Sequence, residues 1–175
     1  SMHYLLLSGY KKLSCIALLA MLQLVATPVA FSAENDLQPE QINNAIEQAK
    51  NWLIRQQSPD GTWKSSMRSD ETVVGATALV VLALTNAGVG EDEKAMKKSL
   101  TWLRGQTPTD TYSVSLQTQA LAMVSPKRDL AILERNARWL EDHQSNGPGT
   151  TGGWSYGANR SSADNSNSQF AILGL

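Results

Sequence analysis

A polar run near the end of the chain, residues 164–167, holds residue types that could carry acid or hydrogen-bonding chemistry: Asp, Asn, Ser and Asn. Such residues satisfy the unpaired amides at a helix start, so one interpretation is an N-cap and a first helical turn. The other is a polar cluster at the mouth of a cavity, beside aromatic faces that contact a ligand. In that case the ligand-facing residues are Trp154, Tyr156, Asp164, Asn165 and Asn167.

Few other residues could take part in catalysis. His143 is the only histidine after residue 33, and its position at a predicted helix end beside a loop favours a solvated side chain over a metal ligand. The single cysteine, Cys15, lies in the amino-terminal segment, so the rest of the chain has no thiolate for zinc and no disulfide. We therefore predict no catalytic residue, no metal site and no cofactor.

Residues 1–33 have the order of a secretory signal peptide. Two lysines at 11 and 12 form a basic region, an apolar run follows from 13 to 25, and small residues follow near Ala30. An uncleaved membrane anchor is the alternative, but the run is shorter than the roughly 20 residues of a spanning helix. We predict export to the periplasm or outside the cell, with no membrane span once the signal is removed.

The charge balance argues against one class of partner. The sequence has 15 Lys and Arg against 16 Asp and Glu, a net charge of −1. Beyond residue 33 the balance is 13 against 16, because Lys11 and Lys12 are lost with the signal. No basic cluster accumulates on one segment, so nucleic acid is a poor candidate, whereas an apolar ligand or a protein partner stays open.

A repeated Trp-Leu pair organises the remaining sequence. The three pairs begin at Trp52, Trp102 and Trp139. Apolar residues recur three and four positions apart before each pair, which predicts amphipathic outer helices; Ser125 and Pro126 predict the N-cap and first residue of the third. Segments such as 77–83 alternate with these helices and are apolar nearly all round, which predicts buried inner helices. The alternation indicates a ring or solenoid of αα-hairpins.

The pattern Gln-x-x-x-Gly-x-Trp, complete at Gln57, Gly61 and Trp63, resembles the QW repeat of the squalene and oxidosqualene cyclases. A second copy has four extra residues and consists of Gln144, Gly152 and Trp154. The chain therefore resembles the prenyltransferase/squalene oxidase repeat proteins of the terpenoid cyclase and protein prenyltransferase superfamily. It is similar in particular to secreted bacterial members of that group.

This resemblance implies an all-α fold, an α/α toroid in which inner helices line a central cavity. Residues 34–175 would form about three hairpins of it, and we expect the chain to be the amino-terminal part of a longer domain. The resemblance also implies that each motif glutamine bonds backbone at a helix end while the tryptophan packs over it. The wider superfamily includes the thioester domains of complement-like proteins.

The chemistry of the resembling enzymes is missing at the matching positions. Hopene-type cyclases protonate an alkene with the central acid of Asp-x-Asp-Asp, and Ser166 stands at that position. The Cys-Gly-Glu-Gln element of thioester domains is absent. We therefore expect an exported, non-catalytic, squalene cyclase-like binding or scaffold domain. The alternatives are a cyclase or prenyltransferase-like enzyme whose acid lies beyond residue 175, and a polysaccharide-active toroid.

Overall fold

The computed structural model describes residues 38–64, 70–157 and 161–175, and within these ranges the regular structure is six α-helices without a strand. The helices are α1 (Pro39–Arg55), α2 (Asp70–Asn86), α3 (Lys94–Arg104), α4 (Thr111–Val124), α5 (Leu130–Asp142) and α6 (Asn165–Gly174). The prediction of an all-α fold is confirmed. The predicted signal peptide lies outside the described residues.

The helices alternate between two types along the chain. The Trp-Leu pairs lie on α1, α3 and α5, whereas α2, α4 and α6 carry the apolar segments. The inner helix α4 packs against α2, α5 and α6, and α2 also packs against α3. The inner helices thus form a row in which α4 is the central member. None of the helices in the described ranges is long and apolar enough to cross a membrane.

Small residues allow the inner helices to approach one another closely. A Cβ atom added to Gly75 of α2 would lie 3.2 Å from Ser113 Oγ of α4. A Cβ atom on Gly174 of α6 would lie 2.9 Å from Ser115 Cα on α4. Real Cβ atoms are not found this close to backbone, so the α4–α6 spacing requires glycine at position 174.

Two apolar clusters form the core. The larger joins α2, α3 and α4 through fully buried side chains, among them Val81, Leu84, Met96, Leu100 and Leu121. The smaller consists of Val114, Leu140, Trp154 and Ala171, with Trp139 packed against it. Each cluster contains the tryptophan of one Gly-x-Trp motif, Trp63 in the larger and Trp154 in the smaller.

The predicted start of the third outer helix is wrong. The helix α5 begins at Leu130 with Asp129 at its N-cap, whereas Ser125 is the C-cap of α4. The Asp129 carboxylate makes no capping bond, because Arg104 donates to both of its oxygens at 2.8 and 2.9 Å. A local capping preference at Ser125 and Pro126 could not indicate this ion pair, which forms across 25 residues.

The ion pair belongs to a polar network around Glu91. Ser125 Oγ donates to Glu91 at 2.6 Å, and Arg104 and Arg128 donate to it at 3.3 and 3.1 Å. The hydrogen bond from Ser125 is the largest cause of the lowered pKa of Glu91, and the guanidinium groups lower it further against the effect of burial. A lowered folded-state pKa means that the network stabilises the fold above the unfolded pKa of Glu91. This contribution is lost as the pH falls through the folded pKa.

The substitution Ser125→Ala should therefore destabilise the protein in a pH-dependent way. Near pH 7 the loss is about 1 kcal/mol, since the bond is made to a charged but partly exposed carboxylate. Near pH 3 the difference between variant and parent should shrink as Glu91 gains a proton. Urea unfolding at both pH values measures it. The control Thr101→Ala removes a hydroxyl bonded to a backbone carbonyl, and its effect should not change with pH. An equal loss at both pH values for Ser125→Ala would contradict the role of Glu91.

Candidate functional site

The first Gln-x-x-x-Gly-x-Trp motif connects the turn after α1 to the next outer helix. Gln57 Nε2 donates to Gly61 O at 3.2 Å, to Ala95 O at 2.9 Å and to Ser99 Oγ at 3.0 Å. The last two acceptors lie on α3. Gly61 has a φ of +92°, and a Cβ atom there would lie 2.8 Å from the carbonyl carbon of Lys98. The turn and α3 therefore touch backbone to backbone at this point.

The tryptophan of the same motif connects α1 to α2. Trp63 is 5% exposed, and its indole Nε1 donates to Leu53 O at 2.8 Å. Its backbone N–H donates to Thr77 Oγ1 on α2 at 3.2 Å. Leu53 belongs to the Trp-Leu pair in the last turn of α1, and its carbonyl oxygen also accepts the backbone N–H of Gln56 at 3.0 Å.

The second motif repeats these contacts with different residues. Trp154 is 3% exposed, its Nε1 donates to Leu140 O at 2.7 Å, and its backbone N–H donates to Ser168 Oγ at 3.0 Å. Gln144 Nε2 donates to Gly152 O at 2.9 Å. The extra residues form a loop closed by Ser145, whose N–H donates to Gly153 O at 2.7 Å.

The middle unit lacks the tryptophan but makes the equivalent bond. Gln117 of α4 is fully buried, and its Nε2 donates to Leu103 O at 2.7 Å and to Gln106 O at 3.1 Å. Its Oε1 accepts from Asn136 of α5 at 2.9 Å and from Arg135 at 3.1 Å. The leucine carbonyl of every Trp-Leu pair in the described structure thus accepts a side-chain N–H. Sequence reasoning missed Gln117, although a glutamine in an apolar inner helix is a signal of a buried polar contact.

The polar run at residues 164–167 starts α6. Asp164 is the N-cap, and its Oδ1 accepts from the Asn167 N–H at 2.9 Å and from Ser166 Oγ at 2.8 Å. Asn167 Nδ2 also donates to Asp164 Oδ2 at 2.6 Å. The bond from the Asn167 N–H is the largest cause of the lowered pKa of Asp164. This carboxyl group is therefore ionised at neutral pH and is a poor proton donor. Asn165 is exposed, whereas Asn167 is buried.

An aromatic group lies beside this helix start. The rings of Tyr112 and Tyr156 are 5.6 Å apart, those of Tyr112 and Phe170 are 4.7 Å apart, and Tyr112 donates to Ser166 Oγ at 2.5 Å. Tyr156 is 64% exposed. The electrostatic interaction with the neighbouring Tyr112 and then with Asp164 raises the pKa of Tyr156. The structure thus brings Tyr156 and Asp164 together at the surface, and places Trp154 in the core.

Two further candidates for chemistry are His143 and the segment around Ser155. His143 Nδ1 lies 2.7 Å from Trp139 O, and its ring stacks on the Trp139 indole at 3.9 Å. No cluster of three potential metal-binding side chains is found in the described part of the chain. The segment 153–157 has the spacing Gly-x-Ser-x-Gly, but a nucleophile elbow joins a strand to a helix. Here the segment lies in a loop, where Ser155 Oγ accepts from Ser162 Oγ at 3.2 Å.

The fold and the site together define an all-helical repeat domain. Its outer and inner helices are connected at three equivalent places, where a side-chain N–H bonds the carbonyl of Leu53, Leu103 or Leu140, and we call these contacts the joints. The sequence model of one family, described as the A-macroglobulin TED domain, matches residues 19–168. The match covers most of the chain, which belongs to this family. It includes residues 19–33 of the predicted signal peptide. No curated protein and no solved structure matches the chain significantly.

This family corrects the identification made from the QW-type motifs. The predicted prenyltransferase/squalene oxidase repeat family is wrong, and so is the squalene cyclase-like scaffold function, since the TED domain is a thioester-containing domain of the complement and macroglobulin type. Neither alternative, the cyclase-like enzyme or the polysaccharide-active toroid, is retained. The motif misled because it reports how hairpins are joined, and several families with different chemistry join them in a similar way.

The substitution Trp154→Phe should destabilise the fold by about 2–4 kcal/mol, because it removes the bond to Leu140 O and leaves a void in the smaller cluster. The matched control is Trp52→Phe, at a side chain that is 55% exposed. Its cost should stay within about 0.5 kcal/mol. Chemical denaturation followed by circular dichroism measures both. Equal costs would contradict a structural role for the buried indole.

The substitution Gly61→Ala should cost about 2–4 kcal/mol, from the positive φ and from the clash with the Lys98 backbone. Gly88 provides the control, since its φ is +81° but no atom lies within 4 Å of an added Cβ. Gly88→Ala should therefore cost only about 1 kcal/mol. Thermal unfolding of the two variants separates backbone strain from the close approach. If the two variants melt at the same temperature, the close packing of Gly61 against the Lys98 backbone does not contribute to stability.

Proposed function

We propose that this chain is part of a TED-type domain of a macroglobulin-type protein, and that it acts without an internal thioester. Recognition by such a domain is non-covalent, through the surface of a rigid helical array. The observation that carries the proposal is the absence of cysteine from residues 19–168, the stretch that matches the family.

A thioester needs two partners, a cysteine thiol and the side-chain carbonyl of a glutamine. The chain has one cysteine, Cys15, which precedes the matched stretch and is followed by Ile16, not by Gly-Glu-Gln. The glutamines of the joints serve a different purpose. Gln57 and Gln117 use their amide N–H groups to bond backbone carbonyls of neighbouring elements. These hydrogen bonds favour a structural role for Gln57 and Gln117, in which the side chain holds two helices together. They do not favour a role as the acyl group of a thioester.

The arrangement of helices supports a further part of the proposal, that residues 34–175 form an arc of an α/α toroid. The inner helices α2, α4 and α6 lie in a row, with α3 and α5 packed on α2 and α4 respectively. We also propose that residues 1–33 are a signal peptide and that the chain is exported. The joint residues Gln57, Gly61, Trp63, Gln144, Gly152 and Trp154 act as structural clamps in this arc.

Treatment with methylamine tests the absence of a thioester. In a thioester domain the amine nitrogen bonds to the glutamyl carbonyl carbon, and the cysteine thiol is released as the leaving group. For this chain we expect no change of intact mass and no new thiol by a colorimetric thiol reagent. A complement-type protein with its thioester intact serves as the positive control. A mass gain of one methylamine with one released thiol would overturn the proposal.

A further inference from the structure

A groove lies beside α3 that the joints do not fill. Its volume is about 410 Å³, and we call it the Trp102 groove. The lining residues are Pro59, Asp60, Lys97, Lys98, Thr101 and Trp102. The proline and the indole give the groove apolar walls, and the two lysines give it positive charge. The groove is therefore suited to a ligand that combines apolar groups with carboxylates.

The groove is held open by the joint beneath it. Lys98 Nζ donates to Pro59 O at 3.3 Å, and Gly61 lies against the Lys98 backbone. The carboxylate of Asp60 is turned to its own loop, where Oδ1 accepts from the N–H and the hydroxyl of Thr62 at 3.1 and 2.8 Å. These bonds restrict the side chains of Lys98 and Asp60 before any ligand binds, which lowers the entropy lost on binding.

The charge of α3 differs from that of the whole chain. The helix sequence KAMKKSLTWLR contains four basic residues and no acidic one, although three acidic residues at 91–93 directly precede it and the chain carries a net charge of −1. Lys94, Lys97 and Lys98 are exposed, whereas Arg104 is committed to Asp129. Lys97 Nζ lies 3.4 Å from the Asp92 carboxylate, whose side chain is fully exposed. The solvent therefore screens this ion pair, which neutralises little of the Lys97 charge.

The repeat supplies an equivalent groove one hairpin later, of about 210 Å³. It is lined by Thr107, Pro108, Arg135, Asn136, Arg138, Trp139 and Asp142. Its cations are already engaged. Arg135 donates to Gln106 O and Gln117 Oε1, and Arg138 pairs with Glu134 at 3.2 Å. The same architecture is therefore present twice. In the Trp102 groove the bond to Pro59 O leaves further N–H donors of the Lys98 ammonium group for a partner, and Lys97 contacts only an exposed carboxylate, that of Asp92, at 3.4 Å.

We propose that the Trp102 groove binds an extended acidic peptide segment of a partner protein. Carboxylates of the segment pair with Lys97 and Lys98, while an apolar residue, best a proline, packs between Pro59 and Trp102. Proline-containing segments lose little conformational entropy when they bind aromatic grooves, because they are already extended in the unbound state. A groove confined to one helix and one turn is too short for the phosphate contacts that nucleic acid binding requires. The proposal is independent of whether a thioester forms.

Calorimetric titration of the chain with a peptide of about twelve residues, built from Glu-Glu-Pro repeats, tests this surface. We expect binding that weakens about ten-fold between about 50 and about 300 mM salt. The pair Lys97→Glu and Lys98→Glu should weaken binding at least about ten-fold. The double variant also removes the bond from Lys98 to Pro59 O, so the single variant Lys97→Glu, which keeps that bond, is tested beside it. Thermal unfolding checks that both variants fold.

The matched control is Arg138→Glu in the equivalent groove, which should change the affinity less than about two-fold. Three results would overturn the proposal. One is a failure of the unsubstituted chain to bind the Glu-Glu-Pro peptide. Another is an equal loss on Arg138→Glu. The last is binding of dextran sulfate with the same affinity as the peptide and with the same loss in the Lys97 and Lys98 variants, which would indicate unspecific attraction of anions.

Discussion

The hydrogen bond that a side-chain N–H donates to the last-turn leucine carbonyl of an outer helix is the interaction on which this fold depends. Each of these carbonyl oxygens also accepts the backbone N–H of the residue three positions later, and the side-chain N–H adds a second hydrogen bond to the same oxygen. The side-chain bonds to Leu53, Leu103 and Leu140 are 2.7 or 2.8 Å long. Each side-chain donor lies on, or is bonded to, the apolar helix that follows, so the second bond connects two helices.

The middle joint shows that the carbonyl, and not the tryptophan, is the constant feature. Where the indole is missing, Gln117 reaches Leu103 O from within α4 and is itself fixed by Asn136. A motif defined by tryptophan therefore recognises only two of the three joints. The resemblance to cyclases rests on those two joints. It correctly predicted an all-α fold, but the family that it predicted is wrong.

The sequence predicted what depends on neighbours along the chain. The alternation of amphipathic and apolar segments correctly predicted the order of the two helix types along the chain. The expected burial of the apolar helices on both sides is wrong, since Leu79, Met123 and Ile172 are 53%, 49% and 66% exposed. The alternation could not predict contacts between residues far apart. Arg104 pairs with Asp129, the N-cap of α5, across 25 residues, and Trp154 is buried whereas Tyr156 is exposed. Asp164 begins the segment that matches the Asp-x-Asp-Asp motif of the cyclases. Only its three-dimensional neighbours show that its carboxylate caps α6.

The uneven packing of the helices has a consequence for the order in which the array opens. None of the residues of the first helix is fully buried, although Leu53 and Ile54 pack against the larger cluster, and Ile42 and Ile46 are 44% and 42% exposed. By contrast, α4 contacts three other helices and is buried along most of its length. A helix with few buried contacts opens locally at a lower free energy than one packed against several neighbours. Backbone amides of α1 therefore exchange with solvent before those of α4.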